Sequence, residues 1–260
     1  MSQYYNSKRT KNLYNSQHKE PFKLSRSKID LFLNCPQCFY IDRKLGVGTP
    51  PGFPFTLNSA VDYLLKKEFD VYREKQEKHP IIEKYKVDAI PAKRKELDEW
   101  RENFKGVQYL HPETNFIITG AIDDLWINSK NEYIVVDYKA TSKVEEIKSL
   151  DKDWHDSYKR QMDVYQWLLR KKNLNVSNIG YFLYCNGDTS KEMFNGKIEF
   201  DITLIPYKGN DGWIEETLHQ IKETLDKNEL PTASADCDFC KYRKEVEKVL
   251  SKTNQGNLFS

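Results

Sequence analysis

Asp123 and Asp137 stand fourteen residues apart, and Lys139 lies two beyond the second. All three fall in IITGAIDDLWINSKNEYIVVDYKAT, residues 117–141, a stretch otherwise rich in Ile, Val, Tyr and Trp. Ser129-Lys130-Asn131 is polar between two apolar runs, which reads as a hairpin turn. With Lys130 at its centre, residues whose numbers sum to 260 face each other, and Asp123 and Asp137 do. Their Cβ atoms would then be about 5 Å apart on one face, with Lys139 on the same side. A slip of one residue would bring Asp124 there instead. Two facing carboxylates repel, and either a salt bridge to Lys139 or a divalent cation relieves that. Mg²⁺ takes one or two carboxylates and completes its octahedron with water and phosphate. A solvated Asp/Lys face is the plainer reading. Against it stand the apolar flanks, because buried charges need compensation.

The cysteines offer a second chemistry. Cys35-Pro-Gln-Cys38 and Cys237-Asp-Phe-Cys240 are two C-x-x-C pairs in a chain of five cysteines. Four thiolates hold one tetrahedral Zn²⁺ or an iron–sulfur cluster. The alternative is four unligated buried thiols. Cys185, in the apolar run YFLYC, reads as a core residue. The five histidines show no clustered ligand spacing, so His111, His155 and His219 read as surface residues. Trp154, Tyr158 and Trp167 could stack on bases, although the apolar neighbours of Trp167 favour packing.

These residues need a scaffold. Ser25 or Ser27 can cap a helix with Ile29, Phe32 and Leu33 on one face and Pro36 ending it. TPPGFPFT reads as a loop. A second helix follows, with Leu57, Val61, Leu64, Leu65 and Phe69 as its apolar stripe. Residues 80–111 are charged and mixed, with a helix near 93–104, and read as an insertion. After the hairpin come an amphipathic helix in RQMDVYQWLLRKKN, strands in NIGYFLYCNG and KIEFDITLIPY, and a helix in GWIEETLHQIKETLDKN. The expected fold is α/β, a mixed central sheet flanked by helices.

GAID, followed by DYK and then by a helix with Gln161-x-x-x-Tyr165, resembles the PD-(D/E)xK nuclease superfamily, in its RecB-type branch. The resemblance implies a restriction-endonuclease-like core. It implies Asp123 and Asp137 as ligands of a catalytic Mg²⁺ or Mn²⁺, Lys139 as the catalytic lysine, and Gln161 and Tyr165 as residues lining the site. Upstream, Ser25-Arg26-Ser27-Lys28-Ile29, Phe32, Cys35 and Pro36 are similar to the opening helix of that branch. Where the branch has G-x-x-x-H, with a ligating histidine, this chain has Asn58 and Asp62, so Asp62 is the candidate third ligand. Glu68 is a weaker one. Similar nucleases close the domain with a 4Fe–4S cluster from one early and three late cysteines. Here the pattern is two and two, which favours zinc at Cys35, Cys38, Cys237 and Cys240, joining the two ends of the domain.

The organisation expected is a basic, disordered arm over 1–23, a nuclease-like domain over 24–243 and a tail over 244–260. From Met1 to Lys28 there are seven Lys or Arg against one Glu, so the arm either is a solvated tail or touches phosphates. In the tail, Gln255, Leu258 and Phe259 resemble the short peptide by which bacterial replication and repair proteins dock on the sliding clamp. Charged residues make up 31% and hydrophobic ones 38%, yet formal net charge is only +2. That excludes a wholly basic nucleic-acid binder. With no apolar run of about 18 residues and no apolar centre near the N-terminus, the expectation is a cytoplasmic protein with no membrane partner. The function expected is metal-dependent hydrolysis of DNA phosphodiesters in repair, recombination or defence. The alternative is an inactive nucleic-acid-binding or assembly module on the same fold.

Overall fold

A computed structural model describes residues 9, 11–50, 52, 56–145 and 147–255. In chain order the elements are β1 (Phe22–Ser25), α1 (Arg26–Asn34), α2 (Pro36–Arg43), α3 (Thr56–Lys75), α4 (Pro80–Lys84), β2 (Ile90–Pro91), α5 (Leu97–Arg101), β3 (Val107–His111), β4 (Phe116–Gly120), β5 (Asp124–Ile127), β6 (Tyr133–Thr141), α6 (Asp156–Lys171), β7 (Ile179–Gly187), β8 (Phe200–Lys208), α7 (Ile214–Asp226) and α8 (Asp238–Gln255). They fall into two compact units. One takes the described residues up to Gly52, His111–Phe116 and those from Glu215 onward. The other takes 53–110 and 117–214. Leu258 and Phe259 lie outside the described residues, as does most of the N-terminal arm. Among the described residues no helix is long and apolar enough to cross a membrane.

The second unit is built on a five-stranded sheet in the order β2-β5-β6-β7-β8. Strands β6 and β7 run parallel and the other neighbours antiparallel. The parallel pair needs a crossover, and α6 supplies it. A second sheet carries β3 beside β4, so the α/β architecture with mixed sheets and flanking helices is as expected. The β5–β6 register pairs Asp124 with Val136 and Leu125 with Val135, the sum-to-260 pairing. The Asn128 side chain sets the turn. Its Oδ1 accepts from the backbone N–H of Lys130 at 3.0 Å and of Glu132 at 2.9 Å, an Asx-type turn. Asn131 takes the left-handed conformation the tight reversal requires, φ 57°.

Alternation along β6 sorts its residues between two faces. Ile134, Val136 and Tyr138 join Leu65 and Phe69 of α3, with Trp126, in one apolar cluster. Val135, Asp137 and Lys139 point the other way, toward α6, where Gln161 meets Lys139. Gly120 closes β4 against α6. A Cβ built on it would lie 2.7 Å from Tyr165 Cε1 and 3.1 Å from Leu168 Cδ1, so the glycine of GAID is required by a close helix approach.

Some expectations are corrected. Pro36 does not simply end α1; it opens α2 at the first helical position, where its missing N–H costs nothing. Leu57 and Leu64 are exposed, and α3 buries Leu65, Phe69 and Arg73 instead. The helix near 93–104 shrinks to Leu97–Arg101. His111 and His155 are buried, not on the surface. Trp167 is buried and Trp154 is exposed.

Replacing Gly120 by valine forces β4 and α6 apart. We expect Gly120→Val to lower unfolding stability by about 1–3 kcal/mol, read from denaturant midpoints. An unchanged midpoint would remove the close-packing account of this glycine.

Candidate active site

The acids expected to act together converge at the β5 end nearest Asp123. Asp123 sits just before β5, and its Oδ2 accepts the Tyr138 backbone N–H at 2.8 Å. From α3, Lys66 Nζ lies 2.8 Å from Asp62 and 3.7 Å from Asp123. Asp137 is fully buried and paired with Lys139. Lys139 Nζ lies 3.4 Å from Gln161 Oε1, and Gln161 Nε2 donates to the Tyr165 hydroxyl at 2.8 Å. The same ammonium stands 4.5 Å from the centre of the Tyr158 ring. Asp62, Asp123, Asp137, Lys139, Gln161 and Tyr165 therefore form one linked group. Glu68 is not part of it, since it bonds His79 at 2.9 Å.

Electrostatics here are strained toward uptake of positive charge. Burial, and then the charge of Asp137, push the Asp123 carboxyl up to about 6, against the pull of Lys66 and Lys139. Asp62 is also raised, first by burial and then by Asp123. Asp137 Oδ1 is buried and has no hydrogen-bond partner among the described residues. A buried carboxylate oxygen left unpaired is costly. The donor set is three carboxylates, hard oxygens that match Mg²⁺ or Mn²⁺. By that measure the residues fit a divalent cation.

Asp124 serves a different purpose on the opposite face. It is fully buried and receives four donors: Arg73, Arg101 at 2.8 Å, Trp126 Nε1 at 3.1 Å and the Tyr138 hydroxyl at 2.9 Å. Arg101 also donates to the Asp123 carbonyl at 3.1 Å, so the Asp124 network fixes the backbone that carries Asp123.

A cavity of about 460 Å³ opens on the site, lined by Asp62, Lys139, Trp154, Tyr158 and Tyr184 among others. The Tyr184 hydroxyl is buried without a partner among the described residues, and Lys143 Nζ stands 4.5 Å over the exposed Trp154 ring. Lys66 and Tyr184 were not singled out from sequence. Lys66 was findable, four residues from Asp62 on one helix face. Tyr184 was not, because only the parallel β6–β7 register places it beside Lys139.

The four paired cysteines all belong to the other unit and meet there. Sγ–Sγ separations are 3.6 Å for Cys35–Cys240, 3.5 Å for Cys38–Cys237 and 3.6 Å for Cys38–Cys240. Each C-x-x-C begins a helix, α2 or α8, whose first-turn N–H groups favour thiolate. Burial raises the Cys35 thiol, but hydrogen bonds from the Cys38 and Ser234 backbone and from Cys237 and Cys240 outweigh it and bring it down to about 6. Arg243 Nη2 lies 2.9 Å from Cys240 Sγ. Four thiols this close can hold a metal.

The profile of the PD-(D/E)XK nuclease superfamily matches residues 56–244. No curated protein matches the chain.

The raised Asp123 carboxyl has a pH consequence. Its folded value, about 6, lies above the unfolded value of about 3.9, so the folded state holds that proton more tightly. Stability from this group is complete below about pH 4 and is lost as pH rises through about 6. In metal-free buffer, the melting-temperature advantage of Asp123→Asn over wild type should grow between pH 4 and pH 7. A difference that stays constant across that window would contradict the assignment.

Proposed function

The chain belongs to the PD-(D/E)XK nuclease superfamily, and on that premise we propose that it is a metal-dependent nuclease that hydrolyses DNA phosphodiester bonds. One observation carries the reading. Asp137 Oδ1 is buried with no partner among the described residues, burial and then the Asp137 charge push the Asp123 carboxyl up to about 6, and Lys139 is tethered alongside. Asp123 and Asp137, with Asp62, would hold Mg²⁺ or Mn²⁺. When bound, that ion offsets phosphate charge and lowers the pKa of attacking water.

The remaining steps fall to the chain's own side chains. Gln161 and the Tyr158 ring hold the Lys139 ammonium at the site. There it balances the extra negative charge that develops when water oxygen bonds to phosphorus. The bond to the leaving oxygen then breaks, the attacking water gives up a proton to solvent as the leaving oxygen takes one up from solvent, and one strand becomes two ends. Tyr158 and the exposed Trp154 offer rings on which bases can stack. The order of motifs, from Ser25 through Asp123 to Gln161, supports the RecB-type branch, from which Asp62 and the two-and-two cysteine pattern depart. Repair, recombination or defence are the roles such chemistry serves.

For the cysteine site we propose Zn²⁺. With Zn–S bonds of about 2.3 Å, tetrahedral thiolates stand about 3.8 Å apart, close to the 3.5–3.6 Å found. Thiolates that each bind a different iron of a 4Fe–4S cube stand wider apart.

A second reading rests on Lys66. Its ammonium already bridges Asp62 and Asp123, as a fixed cation would in a DNA-binding module without chemistry. Cleavage of single- and double-stranded DNA with Mg²⁺ or Mn²⁺ separates the two. We expect wild type to cleave, and Asp137→Ala and Lys139→Ala each to lose about a hundredfold or more. DNA binding without cleavage by wild type would favour the second reading. Equal cleavage by all three proteins would reject the assigned site. For the cysteines, elemental analysis should find zinc without iron, in a protein lacking the visible absorption of an iron–sulfur cluster. Stoichiometric iron would overturn the zinc assignment.

A further inference from the structure

The β3–β4 turn and one face of α7 bring together groups that the sequence holds 104 residues apart. Glu215 and His219 lie four apart on α7 and so share a face. His111 and Glu113 flank the end of β3. His111 Nε2 lies 2.8 Å from Glu215 Oε2, and His219 Nε2 lies 2.9 Å from Glu113 Oε2. The two imidazole centres are 5.7 Å apart. One ligand atom each from His111, Glu113 and His219 lie within 4.8 Å of one another.

We propose that His111, Glu113 and His219, with Glu215 beside them, bind a divalent transition metal of the zinc class. This site shares no residue with the three aspartates or the four cysteines. The donor chemistry selects the metal. Two imidazoles disfavour Mg²⁺ and Ca²⁺, which prefer all-oxygen shells, and suit zinc and its neighbours. Two histidines and a carboxylate are an established zinc set that leaves a fourth position for water or a further carboxylate, and Glu215 is placed to fill it.

The surroundings of His111 match those of a ligating histidine. It is 2% exposed, and its Nδ1 lies 2.9 Å from the buried Thr114 hydroxyl. Donation of Nδ1–H to Thr114 leaves the Nε2 lone pair on the side of Glu215. Metal-binding histidines are oriented by such an outer hydrogen bond. Two independent His–Glu hydrogen bonds would account for each pair taken alone. They give no reason for the pairs to converge on one point. His219 and Glu113 are half-exposed or more, so the ion would exchange with solvent.

The test counts zinc on the full-length chain carrying Asp137→Asn, which disables the aspartate site. Zn²⁺ is titrated near neutral pH with the cysteine site already loaded, and bound metal is measured by mass spectrometry at buffered free zinc. We expect this parent to bind one equivalent more than the same protein with His219→Ala. Glu113→Gln should weaken that equivalent at least about tenfold. Cys237→Ser should remove a different equivalent and leave this one in place. His219 is exposed, so a matching melting curve without zinc will show that the alanine variant folds. Identical zinc isotherms for the parent, His219→Ala and Glu113→Gln would overturn the proposal.

Discussion

The buried carboxylate of Asp124 is the contact on which the candidate site depends. A lone ionised carboxylate has no place in an apolar interior. This one is held by two guanidinium groups, an indole and a phenol. Arg73 and Arg101 are themselves balanced by Asp70, so the charges close among α3, α5 and β5. Because side chains alternate along a strand, anchoring Asp124 on the α3 face leaves no freedom of register. A one-residue slip would expose this network and withdraw Asp123 and Asp137 from each other.

Two neighbouring aspartates thus show how environment separates structure from chemistry. Asp124 has every lone pair answered by a donor. Asp137, equally buried, keeps one oxygen with no partner among the described residues, and Asp123 beside it is crowded enough to hold its proton to about pH 6. Satisfied burial gives rigidity. Unsatisfied burial gives a site ready for a cation.

How much of this the sequence reveals follows the range of the forces involved. The hairpin register was legible because Asn128 and Asn131 set the turn locally and strand alternation does the rest. The cysteine site was legible because thiols seldom pair at that spacing without cause. The Asp124 anchor was not, since its two arginines lie 51 and 23 residues away and look like ordinary helix charges. Nor was the His111–His219 group, which depends on a turn and a helix far apart in sequence. Leu57 and Leu64 misled for a related reason. Helical periodicity shows which residues share a face, but only tertiary packing decides how much of it is covered.

The cysteine unit draws on both ends of the chain, with Cys35 and Cys240 lying 205 residues apart. Translation proceeds at about 5–20 residues per second, so Cys35 and Cys38 leave the ribosome about 10–40 s before their partners exist. The sheet of the other unit is complete by Lys208 and can form in that interval. During it, the two early thiols, three residues apart, have neither Cys237 nor Cys240 to meet. Closure of the four-thiol site is therefore a late event, one that waits until residue 240 has been made.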